Sequence, residues 1–259
     1  MNEETEIKLI KENPIYIRHL DNPGVVLQIE AVKRNGNAIQ YISNPQEEVQ
    51  LIAVKNSPLS IQYIKEPSEA VSIAAVKGNW NALKYVKNPS EAVVESALRA
   101  KGWAIQFVNN PSEKQQVIAV ENDYDAIKHI KDPSKAAQIK AVEGHWGAIK
   151  FIEHPDIEVK CLAIKENPEA IMYLTDYDEE ELKLFIKTNI NILKYIYETL
   201  DINLVVEVLK DKVSQEDIEK SYIKDYMELE ILDMDKLDFI KEFGSKEAKK
   251  AFIDYKLSN

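Results

Sequence analysis

Proline recurs with a fixed period in this chain, and that constrains the fold more than any other feature. Pro23, Pro45, Pro67, Pro89, Pro111, Pro133 and Pro155 stand 22 residues apart, while Pro14, Pro58 and Pro168 lie thirteen residues into their own copies. A period in this range marks a tandem array, because one such module cannot bury its apolar face alone. With the proline as slot 1, seven modules cover 23–176 and an eighth, 177–198, keeps the pattern without its proline. Residues 1–22 fit as a divergent first copy through Asn13, Pro14, Ile17 and Leu20.

The slots specify helices. Slot 9 is alanine in every clear copy, from Ala31 to Ala163, and slot 17 is Ile39, Ile61, Leu83, Ile105, Ile127, Ile149 and Ile171. Slot 19 is aromatic apart from His129, and slot 20 is always aliphatic. Slots 5, 7, 8, 9 and 10 make the first segment apolar nearly all round, as expected of a helix sandwiched between neighbours. Apolar residues at 16, 17, 19 and 20 leave 14, 15, 18 and 21 on the other side of a second helix. The small residues at slots 9 and 16 permit close approach of the two. Asn44-Pro45, Asn88-Pro89-Ser90-Glu91 and Asn110-Pro111-Ser112-Glu113 read as N-cap Asn, Pro at N1 and Glu at N3. Slot 13 repeats the cap for the second helix with Asn35, Ser57, Asn79, Asp123 and Asn167. Each module is then a helix of about eleven residues, a tight turn and a helix of about eight, neither stable alone in water. Alternating strand patterns are absent.

The unit PSEAVSIAAVKGNWNALKYVKN (67–88) resembles the short tandem helical repeats of bacterial, phage and giant-virus proteins, a compact relative of HEAT and armadillo repeats. The likeness covers residues 1–198. It implies an all-α fold, a right-handed α-solenoid of about nine two-helix 22-residue repeats, and a binding scaffold rather than one chemistry. In related solenoids the second helix lines the concave surface. Residues 199–259 lose the period, carry 10 Lys against 15 acids, and are expected to form a C-terminal helical cap over the last repeat.

Composition narrows the function. The chain of 259 residues has a net charge of −11, one cysteine and only 7 glycines. A single cysteine excludes a disulfide framework and a Cys-cluster metal site, and scarce glycine argues against phosphate-cradling loops. No apolar run is long enough for a membrane span, and the polar MNEETEIKLIKENP start predicts no secretory leader. A cytoplasmic protein is expected. His19 and His129 fall in slot 19, His145 in slot 13, His154 in slot 22 and Cys161 in slot 7, so each reads as a substitution within the module. Asp178-Glu179-Glu180-Glu181 reads as the acidic first turn of a helix. No nucleophile–base pair, metal set or cofactor motif emerges, and no enzyme activity is expected.

The candidate site is the outer face of the second helix. Slots 14, 18 and 21 hold Trp80, Lys84, Lys87, Tyr124, Lys128, Lys131, Trp146 and Lys150, and Trp103 lies in the adjoining slot 15. Tryptophan amid cations in an acidic chain suits a protein partner's hot spot. Two alternatives stand beside this reading: nucleic-acid binding through the same stripe, which the net charge opposes, and, from the acidic charge of an elongated chain, a phage-type inhibitor that occludes a host defence protein. Packing of tryptophan over the neighbouring turn, with lysines serving the helix dipole, accounts for the same residues without a partner.

Overall fold

A computed structural model describes residues 2–258, and among these the chain is helical with no strand. Nine α-helices head the nine modules: α1 (Glu3–Glu12), α2 (Val25–Arg34), α3 (Glu47–Asn56), α4 (Glu69–Gly78), α5 (Glu91–Ala100), α6 (Glu113–Asn122), α7 (Lys135–Gly144), α8 (Ile157–Glu166) and α9 (Glu179–Thr188). Two compact units divide the chain between Lys140 and Ala141, within α7. In each unit, neighbouring modules stack in sequence as an α-solenoid.

The second segment is not the α-helix expected. From Pro14–His19 through Gly36–Tyr41 to Pro168–Tyr173 it is a six-residue 3-10 helix. Slot 13 is extended (φ −146°, ψ 104° at Asn35), and where it is asparagine its carboxamide accepts the N–H of slot 15, as Asn35 does from Asn37 at 3.0 Å; Ser57, Lys101 and Asp123 make no such bond. That tight start and i→i+3 bonds such as Ile42 N to Ile39 O (3.0 Å) wind the chain three residues per turn. Slots 16 and 19 then share one face, and 17 and 20 another.

The caps of the first helices also differ from expectation. Asn22, Asn44, Asn88 and Asn110 have φ between 47° and 51°, the left-handed region, which asparagine tolerates better than most residues and which no N-cap uses. They turn the chain into the proline. The cap falls two residues later, at slot 2: Ser68, Ser90 and Ser112 are extended and accept from Val71, Val93 and Gln115. Glu69, Glu91 and Glu113 therefore stand at N1, not N3. The capping box that does form pairs Ser112 with Gln115.

The core follows the template. Slot 9 and slot 16 alanines, for example Ala97 and Ala104, are fully buried, as are Ile61 and Ile127 of slot 17. Modules touch so closely that a Cβ on Gly102 would lie 2.1 Å from the carbonyl oxygen of Ala119 in the next module, and one on Gly36 2.4 Å from that of Ala53. The Gly102 N–H donates to Asp123 of the next module at 2.6 Å.

In the second unit the period ends at Ile190–Ile192, and α10 (Leu193–Ile196) leads to α11 (Ile202–Ser214), α12 (Lys220–Glu228), α13 (Lys236–Phe243) and α14 (Lys246–Ser258). Helix α11 packs on α9, and the buried Tyr222 hydroxyl of α12 donates to Ile186 O at 3.0 Å. These helices cap the last module.

Candidate interaction face on the 3-10 segments

In the first unit the 3-10 segments lie side by side, so residues of one slot follow each other from module to module. Lys84, Lys87, Lys128 and Lys131 are exposed. Tyr124 is 37 % exposed, and Trp80 and Trp103 are half-buried. Trp80 stacks on Phe107 of the next module, with ring centroids 5.9 Å apart and planes at 25°. Trp103 meets the edge of His129, again one module on, at 5.8 Å. The tryptophans of this unit therefore bridge modules while staying partly exposed.

Around Trp103 the structure assembles a charged cluster. Its indole N–H donates to Asp125 Oδ1 at 2.7 Å, and the Lys128 ammonium sits 4.0 Å from the ring centre while also pairing with Asp125 at 2.9 Å. Lys101 lies 5.5 Å from the same ring and pairs with Asp123. Burial opposes ionisation of Asp125, but the Trp103 and Lys128 hydrogen bonds and the Lys128 and Lys101 charges hold its carboxyl below the ordinary range. Burial, then the Lys128 charge, pushes the His129 imidazole down against the opposing pull of Asp125. Its buried Nε2 has no hydrogen-bond partner.

In the second unit, Trp146 is half-buried and lies 6.1 Å from Tyr173, and exposed Lys150 sits over Phe151 at 4.9 Å. His145 fills the slot-13 role, its Nδ1 accepting the Gly147 N–H at 3.0 Å. The Cys161 thiol is half-buried, and burial, its principal influence, raises its pKa.

The slot-19 aromatics contribute to this face, contrary to their expected inward placement. Tyr41 and Tyr63 are 38 % and 41 % exposed in the first unit, and Tyr173 and Tyr195 are 43 % and 42 % exposed in the second. The signal was present: the fully buried slots are aliphatic or alanine, whereas slot 19 alone prefers tyrosine and phenylalanine, rings suited to half-exposure.

Among the described residues no helix is long and apolar enough to cross a membrane. No protein-family model, curated protein or solved structure matches the chain, so its 22-residue helical repeat is defined by its own internal periodicity.

Proposed function

We propose that this protein is a non-enzymatic scaffold that binds another protein through the face of its 3-10 segments, and that its module is a compact relative of HEAT and armadillo repeats. One observation carries the reading: in the first unit, partly open rings recur on this face at Tyr41, Tyr63, Trp80, Trp103 and Tyr124, beside the exposed lysines Lys84, Lys87, Lys128 and Lys131. Rings already fixed by neighbouring modules lose little entropy on binding, and aromatic anchors ringed by polar groups are the usual source of interface affinity. The lysines favour an acidic rim on the partner.

Tyr63 and Tyr124 are the probes, because both are more exposed than Trp80 and Trp103, which pack on the next module. The Tyr63→Ala, Tyr124→Ala double variant should retain its helical circular dichroism. It should bind the purified partner, identified by affinity capture from the native host, roughly 100-fold more weakly by calorimetry, as loss of two anchors at about 1.4 kcal/mol each requires. Unchanged affinity, or a captured ligand that nuclease destroys, would contradict the proposal.

A further inference from the structure

Slot 6 has a purpose that its sequence pattern does not announce. In four modules it is glutamine, and the side-chain amide of Gln28, Gln50, Gln116 and Gln138 donates to the carbonyl of its own slot-1 proline, at 2.8, 2.8, 3.1 and 3.0 Å. Gln116 also accepts the N–H of Ser134, slot 2 of the following module, at 2.8 Å. The Gln116 carboxamide thus bridges slot 1 of its own module and slot 2 of the next, whereas the buried Oε1 of Gln28 has no partner. Three of the seven clear modules lack glutamine there: slot 6 is Ser72 and Val94 in two adjacent copies, and Lys160, whose ammonium donates to Asp176 O at 2.7 Å, in the last.

Cavities lie where these glutamines are missing. One of about 450 Å³ is lined by Pro67, Ser72, Pro89, Ser90 and Val93, with Glu69 at its edge. A second of about 730 Å³ is lined by Val94, Leu83, Phe107 and Val108, and shares Val86, Asn88 and Pro89 with the first. In the first, neither the Pro67 carbonyl nor the Ser90 N–H has a hydrogen-bond partner among the described residues. In the second, Gln115 already takes the Ser112 N–H at 3.0 Å, leaving only half the pair.

We infer that the Ser72 cavity is a binding site for a primary carboxamide, the side chain of a glutamine on a partner polypeptide. The chain supplies its own template for this ligand. What Gln116 offers to Pro111 and Ser134, the incoming glutamine offers to Pro67 and Ser90. A carboxylate would face the Pro67 carbonyl without a proton to donate, and an ammonium would leave the Ser90 N–H without an acceptor. Serine at slot 6 leaves the room, and buried Ser72, 2 % exposed, forms its floor. The inference rests on the scaffold reading for the source of the glutamine, a protein partner, but not for the chemistry of the cavity.

The test uses the full chain, ¹⁵N-labelled, titrated with N-acetyl-Ala-Gln-Ala N-methylamide. The expected result is a saturable shift of the Ser90 amide resonance with a dissociation constant in the millimolar range, as suits so small a ligand. The Ser134 amide, already bonded to Gln116, should not move. Ser72→Gln restores the internal bridge and should weaken binding at least tenfold, whereas Ser72→Ala should retain it. Ser72→Gln should also raise the thermal midpoint, which shows that its loss of binding is occupancy and not misfolding. An equal shift from the Glu or Lys peptide, full binding by Ser72→Gln, or no saturable shift would overturn the inference. Tyr63 and Tyr124 do not line this cavity, so failure of their double variant to lose partner affinity would count against the scaffold reading and leave this result standing.

Discussion

Single side chains show where the module template tolerates exceptions. Ser60 replaces the slot-16 alanine, is fully buried, and its hydroxyl has no hydrogen-bond partner. Burying an unpaired hydroxyl costs about 1–3 kcal/mol, while alanine fits this slot in the other clear modules. Ser60→Ala should therefore stabilise the first unit by about 1 kcal/mol, read as a higher urea midpoint with an unchanged slope; a lower midpoint would contradict this. His129 is the titratable exception. Trp103, Asp125, Lys128 and, through the indole, Lys101 surround it, and burial followed by Lys128 lowers its imidazole pKa in the fold. The unfolded chain then takes up the proton first, so stability is lost as pH falls through the ordinary imidazole range and is intact above it. His129→Phe, the ring that slot 19 carries at Phe107 and Phe151, should lose less of its thermal midpoint than the parent between about pH 7.5 and 5. Identical slopes would show that His129 is not held neutral. The sequence assigned this histidine to its slot. It could not show the charges gathered there, since Trp103 comes from the preceding module.

At the scale of the element, the helical character and the period were legible, and the winding of the second segment was readable but misread. Apolar residues at 16, 17, 19 and 20 pair at a spacing of three, which suits a 3-10 helix better than a short α-helix. Reading them as an α-helix sent the slot-19 aromatics inward, where the 3-10 winding leaves them half-exposed. The caps failed for a related reason. Asn-Pro looks like an N-cap followed by N1, but a left-handed asparagine turns the chain and passes the cap to slot 2. Ser112→Ala should accordingly cost about 1 kcal/mol by urea denaturation, since it removes half of a capping box. The same change at slot 22, Asn110→Ala, should act instead through the strain of a left-handed alanine. A neutral Ser112→Ala would place the cap elsewhere.

For the whole molecule, the periodic prolines predicted an array whose modules are stable only together, and the structure shows that arrangement within each compact unit. The end of the period near 198 signalled a change of role, and α11 and α12 cover the last module there. The grip between modules was less legible, because it lies in pairs 17 to 27 residues apart that no local pattern links: Gly102 against Ala119 and Asp123, Trp80 against Phe107, Gln116 against Ser134. The same spacing concealed the cavities, which appear only once the bridging glutamine is seen elsewhere. Coupling between nearest neighbours holds the array together, and amide hydrogen exchange on Gly102→Ala measures it. The added methyl meets the Ala119 carbonyl, so protection in α5 and α6 should fall together while α2 keeps its own. A loss confined to residues 102–107, with α6 unchanged, would contradict the account.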